Sequence, residues 1–197
     1  MAPAVQLLLA SASPRRSELL QQIGVTFERL QAECEEIHRP QESAEDYVCR
    51  VALDKARAGY QLVADRGLPV LGADTAVIVD HHILGKPRDQ QHAAEMMRLL
   101  SAREHRVLSA VAMVSAQQEK VILQESRVRM RRISEKEMQD YWRSGEPQGK
   151  AGGYAVQGLG AIFIEHIAGS YSGIMGLPIY ETVQLLQTFG VDVLSKR

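Results

Sequence analysis

Leu7-Leu-Leu-Ala-Ser-Ala-Ser-Pro-Arg-Arg-Ser-Glu-Leu-Leu20 decides how the chain is read. An apolar run enters a turn of small residues and leaves as a helix, so the stretch predicts a strand, a tight loop and a helix. Ser13 suits the N-cap, where its hydroxyl can accept an unsatisfied N–H of the first helical turn, and Pro14 fits the first helical position, which needs no N–H. Arg15 and Arg16 then put positive charge at the positive end of the helix dipole, which costs helix stability. A phosphate or carboxylate ligand at that turn would account for them; so would two solvated arginines on a surface turn.

Outward from this stretch, the first helix is expected to end near Gly24 and Val25 to Leu30 to form a short strand. Glu33, Glu35 and Glu36 make an acidic cluster, closed off by Pro40. Ser43-Ala-Glu-Asp46 resembles a capping box, and the spacing of Tyr47, Val48, Val51, Ala52, Lys55 and Ala56 predicts a helix to about Ala64, with Lys55 near its middle. Pro69 to Ala73 is an apolar run of buried-strand type that delivers Asp74 and Thr75 at its carboxyl end. Val77-Ile-Val79 and Ile83-Leu84 suggest a hairpin, followed by Gly85-Lys-Pro87. A helix fits Asp89 to Leu100, and Val107 to Ser115 and Lys120 to Arg132 suit two antiparallel strands around a turn. Ser134-Glu-Lys-Glu137 is a second capping box, opening a helix through Trp142 that stops before Gly145. Residues 149–160 hold five glycines, too many for a regular element. Ala161 to Ile167 resumes as strand, and a last helix from about Pro178 to Phe189 turns Val183, Leu185 and Leu186 inward. The pattern predicts a mixed α/β fold, an elongated sheet with flanking helices, whose strand-end loops face a shared cleft. One continuous domain over residues 1–197, in two lobes, is the expected organisation.

With 45% hydrophobic residues the chain can bury a sizeable core, and a net charge of −1 argues against broad, sequence-independent binding of nucleic acid. Any anion site must be local. Cys34 and Cys49 have neither the number nor the spacing of a zinc site or disulfide framework, and no run approaches the length of a membrane span. A cytoplasmic protein that binds no membrane is the expectation.

Asp74, leaving a buried strand, stands where open sheets place catalytic or metal-binding groups; alternatively it caps the next turn. Glu36 follows another predicted strand, so the two carboxylates could share one divalent cation, Mg2+ or Mn2+, with Glu33 and Glu35 as competing candidates. Lys55 and Lys86 sit at positions compatible with a common site. Gln157, on a loop bordered by glycines, offers a donor and an acceptor that could read the edge of a base or hold its own loop. No phosphate-loop, dinucleotide-fold or zinc-protease motif is present in the sequence. The adjacent His81 and His82 would face opposite ways on a strand. Arg127, Arg129 and Arg131 would share one strand face, which reads best as a charged, aggregation-resistant edge.

Taken together, Leu9-Ala-Ser-Ala-Ser-Pro-Arg-Arg16, Gly72-Ala-Asp-Thr75, Gly85-Lys-Pro87, Lys150-Ala-Gly-Gly-Tyr-Ala-Val-Gln-Gly158 and Gly176-Leu-Pro178 resemble the Maf family of nucleoside triphosphate pyrophosphatases, in family order from about residue 7 to 189. The resemblance implies an inosine-triphosphatase-like fold with two lobes around a cleft, usually dimeric, and metal-dependent hydrolysis of a nucleoside triphosphate to the monophosphate and pyrophosphate. It implies Asp74 as the catalytic aspartate, Glu36 as its acidic partner in holding the metal, and Ser11, Ser13, Arg15, Arg16, Lys55, Thr75, Lys86 and Gln157 as substrate-binding residues. Arg16, Thr75 and Gln157 match the subgroup that acts on dTTP and UTP, including modified pyrimidine nucleotides; a sister subgroup prefers 7-methyl-GTP. A non-catalytic nucleotide-binding regulator of cell division is the rival from another class. Gly149, Gly153 and Ser109 depart from the Asp, Ala and Thr common in the family.

Overall fold

The computed structural model describes residues 4–194. Its strands form one seven-stranded sheet in the order β2-β1-β3-β5-β6-β7, with β4 paired to β3. The strands are β1 (Leu7–Ala10), β2 (Phe27–Leu30), β3 (Val70–Val79), β4 (His82–Leu84), β5 (Glu104–Val114), β6 (Glu119–Met130) and β7 (Ile164–Ala168). The helices are α1 (Pro14–Gln22), α2 (Ala44–Val63), α3 (Gln90–Leu100), α4 (Glu135–Arg143), α5 (Tyr171–Met175) and α6 (Ile179–Thr188). The expected mixed α/β class is therefore the observed one.

The chain clusters into two compact units. The first contains the chain up to Asp74, Ser109–Gln124 and the chain from Gly176; the second contains Thr75–Leu108 and Glu125–Met175.

In the first unit β1 lies parallel to β2, with Leu7 opposite Phe27, and parallel to β3, with Leu8 opposite Val70 and Ala10 opposite Gly72. All four residues of β1 are buried, as a strand with neighbours on both edges and packing on both faces requires. Helix α2 starts on Ser43, whose hydroxyl accepts from the Asp46 amide at 3.0 Å. It lies so close to β3 that a Cβ on Gly72 would stand 2.6 Å from the Ala56 nitrogen and would also collide with the Ala52 carbonyl. One turn further along, a Cβ on Gly59 would meet Val70 at 2.9 Å.

In the second unit β3 turns back into β4, pairing Val77 with Leu84 antiparallel, and β6 pairs antiparallel with β7. Its core gathers Met96, Met97 and Leu100 from α3, Met138 and Tyr141 from α4, Tyr154 from the glycine-rich segment and Phe163 from the turn before β7. Helix α4 carries the full capping box foreseen at Ser134 and Glu137.

Several expectations are corrected. Strand β3 does not end before Asp74 but runs on through it to Val79, because its residues are apolar or glycine apart from Asp74 and Thr75, and two polar residues do not break a pleated backbone. Ala161–Phe163 belong to a 3-10 turn (Leu159–Phe163), and the strand begins only at Ile164. Arg127 and Arg129 are not on a sheet edge, since β7 covers that side of β6. In α6 the inward residues are Thr182, Leu185 and Leu186, with Val183 only half-buried; the Thr182 hydroxyl is satisfied by donating to the Pro178 carbonyl at 2.6 Å. Helix α5 had no counterpart in the sequence reading.

Gly72→Ala is expected to destabilise the protein by about 1–3 kcal/mol through overpacking against α2. A urea denaturation midpoint that falls without a change of slope would show it.

Candidate active site

The first unit brings Glu36, Lys55 and Asp74 together. The Lys55 ammonium lies 2.8 Å from Asp74 Oδ1 and 3.0 Å from Glu36 Oε1. Side-chain exposure is 12% for Lys55 and 10% for Asp74 against 50% for Glu36, so the trio has a dry end and a wet end. Asp74 is tolerated inside a strand because its charge meets a cation within hydrogen-bond distance. Lys55 reaches it because the close approach at Gly72 lays α2 on β3.

Glu36 is not placed by a strand. It lies in an irregular segment beyond β2, held to α2 by side chains: Tyr47 donates to the Glu36 carbonyl at 3.0 Å, and Arg50 donates to the Ile37 carbonyl at 3.0 Å and to Glu42 at 2.5 and 2.9 Å. Those bonds to Arg50 hold the Glu42 carboxyl down at about 2. Burial, aided by Asp74 and Glu36, pushes the Tyr47 phenol up to about 12, so it stays a donor. Of the three glutamates in the acidic cluster, only Glu36 is drawn to Lys55. Tyr47 and Arg50 escaped the sequence reading, where they looked like ordinary helix positions.

The loop between β1 and α1 is organised differently from the expectation. Ser13 occupies the N-cap with extended backbone, but its side chain makes no capping bond; instead its amide donates to the Ser11 hydroxyl at 3.2 Å. Pro14 fills the first helical position as foreseen. Arg16 folds back to donate to Ser11 Oγ at 3.2 Å and to the Gly176 carbonyl at 2.8 Å. Burial pulls its guanidinium below the ordinary value, the fields of Asp74 and Glu36 oppose this, and neighbouring Arg15 adds to it. The result is a half-buried cation held by neutral acceptors at the N-terminus of a helix, an arrangement suited to an anion. Arg29, on β2, donates to the Ala12 carbonyl at 2.9 Å and fixes the same loop.

Thr75, Lys86 and Gln157 belong to the second unit. Thr75 is half-buried in β3, Lys86 is exposed after β4, and Gln157 is exposed on the glycine-rich segment. The turns that carry Lys86 and Gln157 are joined, since the Gly152 amide donates to the Gly85 carbonyl at 3.0 Å. Gly152 has φ +67°, and a Cβ there would meet Val77 at 2.9 Å, so this position admits only glycine without strain. Tyr154 turns inward and its hydroxyl lies 2.8 Å from His105 Nε2.

Glu36 and Asp74 form a hard-oxygen pair. Among the described residues no group of three or more His, Cys, Asp or Glu side chains could hold a metal ion. Two carboxylates alone still fit Mg2+ or a similar cation, which ordinarily takes one or two protein carboxylates and completes its shell with water and substrate phosphates. Cys34 and Cys49 are half-buried free thiols that burial pushes up, consistent with inert structural cysteines. Among the described residues, no helix is long and apolar enough to cross a membrane.

The family described as Maf-like protein matches residues 6–189. A Photobacterium profundum protein named dTTP/UTP pyrophosphatase is 50% identical over 191 residues, covering 94% of this chain and 97% of that protein. A protein of the same name from Alkalilimnicola ehrlichii is 48% identical over 190 residues, covering 94% of each chain. The Escherichia coli K12 protein of that name is 50% identical over 183 residues, covering 93% of this chain and 92% of its own.

Burial alone pushes the His105 imidazole down to about 4, so it is neutral near pH 7. A histidine depressed on folding contributes stability that is complete above its unfolded value near 6.5 and is lost as pH falls from there towards 4. His105→Gln is therefore expected to flatten the decline in stability between those two values, read from denaturation midpoints across pH, and the wild-type imidazole NMR titration should centre near 4.

Proposed function

The chain belongs to the Maf family, and from that premise we propose that it is a nucleoside triphosphate pyrophosphatase that hydrolyses dTTP and UTP, and modified pyrimidine nucleotides with them, to the monophosphate and pyrophosphate. The observation that carries the reading is the Lys55 ammonium held within 3.0 Å of both Asp74 and Glu36. Cationic and anionic groups so arranged along a buried strand suit a reaction whose catalysis is mainly positioning and neutralisation.

In this reading Ser11, Ser13, Arg15, Arg16, Lys55 and Lys86 bind the triphosphate. Asp74 orients a water, or takes its proton, as the water oxygen attacks the α-phosphorus. The bond from that phosphorus to the α–β bridging oxygen breaks, and pyrophosphate leaves with the electron pair. Glu36 and Asp74 would hold a divalent cation, which supplies neutralisation of phosphate charge when bound. Thr75 and Gln157 contact the nucleoside, with Gln157 offering both an amide donor and a carbonyl acceptor to a pyrimidine edge. The proposal extends to a cytoplasmic homodimer; its support is the family likeness and the two free thiols.

Asp74→Asn keeps the shape of the side chain and removes its charge and basicity, so turnover of dTTP is expected to fall about 100-fold or more while the circular dichroism spectrum of the folded protein is retained. Activity near wild type would reject the assignment. Pyrophosphate release should stop with a chelator and return with Mg2+ or Mn2+. In a panel that includes UTP and 7-methyl-GTP, Gln157→Ala should flatten the preference for pyrimidines. Nucleotide binding without pyrophosphate release would favour a non-catalytic regulator.

A further inference from the structure

The segment that presents Gln157 is secured on both sides of that residue by one pair of side chains. On its N-terminal side, the Ala155 amide donates to the Tyr141 hydroxyl at 3.1 Å. On its C-terminal side, the Leu159 and Gly160 amides donate to the two oxygens of Glu146 at 2.8 and 2.9 Å. Tyr141 closes the circuit by donating its own proton to Glu146 Oε1 at 2.6 Å. The Glu146 carboxylate sits directly against Gly158, inside this ring of bonds, where a Cβ would displace it. Tyr154, Ala155 and Val156 are buried beneath, whereas Gln157 is exposed.

We infer that Tyr141 and Glu146 are positioning residues for base selection, which set the backbone from which Gln157 reaches the pyrimidine. The inference rests on the reading of Gln157 as the base-contacting residue. Its physical content is that a carboxylate accepting three hydrogen bonds, two of them from the backbone, fixes orientation as well as stability. The ring of Tyr141 is separately braced by an edge-on contact with Phe163, centroids 5.2 Å apart. Burial opposes ionisation of Glu146, but the bonds from Tyr141, Gly160 and Leu159, with the field of Lys150, outweigh it and hold the carboxyl below its usual value. Burial and Glu146 push the Tyr141 phenol up, so its proton stays in place. Neither side chain is needed for the phosphate chemistry assigned to the first unit.

The test compares Tyr141→Phe, Glu146→Gln and Gln157→Ala in the full chain with dTTP, UTP, dCTP and GTP as substrates, and with inorganic tripolyphosphate as a competitor that has no base. Loss of a partly buried hydrogen bond to an ionised acceptor is expected to raise KM for dTTP and UTP about fivefold to tenfold, with kcat falling less. The ratio of kcat/KM for dTTP over GTP should fall by a similar factor, and inhibition by tripolyphosphate should stay within about twofold. Glu146→Gln presents a donor to one of the two backbone amides and should be the more severe. If it does not fold, Tyr141→Phe, which keeps the ring, decides the question. An equal loss for every nucleotide, with the ranking preserved, would make the pair merely structural and overturn the inference. If Gln157→Ala alters the ranking and the other two variants do not, the inference falls while the reading of Gln157 stands; if Gln157→Ala leaves the ranking unchanged, both fall.

Discussion

The first unit depends on how near a helix can come to a strand. Gly72 has nothing that projects towards α2, so the helix backbone at Ala52 and Ala56 rests against β3, and Lys55 on that same turn meets Asp74 two residues along the strand. A larger residue at position 72 would part the two elements. The Asp74 carboxylate would then be buried in a strand at a distance from its cation, a costly arrangement. The ion pair and the backbone contact are therefore one construction: the glycine permits the approach, and the approach makes a buried carboxylate tolerable.

The second unit solves a different problem. A segment with glycines at 149, 152, 153, 158 and 160 has little intrinsic preference for one conformation, and glycine loses more backbone freedom on ordering than any other residue. Its order comes from outside: the Gly85 carbonyl, the His105–Tyr154 bond and the Tyr141–Glu146 pair each fix a different point. Glycine is required at 152 by packing as well as by backbone angle, since Val77 fills the space beside it, and the Glu146 carboxylate lies against Gly158.

This division explains what was legible in the sequence. The strand–loop–helix at Leu7–Leu20, the capping boxes at Ser43 and Ser134 and the apolar spacing of α2 and α3 are local signals, and each element stands where they placed it. Asp74 misled because a carboxylate in an apolar run looks like the end of a strand unless its partner is known, and Lys55 is distant in sequence. Spacing could not separate Glu36 from Glu33 and Glu35, and only the family resemblance singled it out, because the distinction lies in bonds from Tyr47 and Arg50 and not in any local periodicity. His105, Tyr141 and Glu146 left one indirect trace, the density of glycine itself, which implies that something distant must hold the loop. The expected capping bond of Ser13 failed because Ser11, two residues earlier, takes the amide of Ser13 and an arginine together.

A net charge of −1 leaves no general attraction for a polyanion, so any selectivity for one must come from how individual cations are employed. Arg57, Arg66, Arg98 and Arg103 each face a carboxylate, Glu119, Glu28, Glu135 and Asp80 in turn, in exposed pairs that water screens. Arg16 is treated otherwise. It is drawn inward and donates to a carbonyl and a hydroxyl, so contact with these acceptors satisfies its hydrogen-bonding geometry without cancelling its charge. Burial makes that charge costly to keep, and the fields of Asp74 and Glu36 offset part of the cost. Lys55 differs, because its charge is already shared between two carboxylates, Asp74 and Glu36. One cation is held by neutral acceptors and the other by an ion pair, so the two are kept in place by different physical means in a protein that is not basic overall.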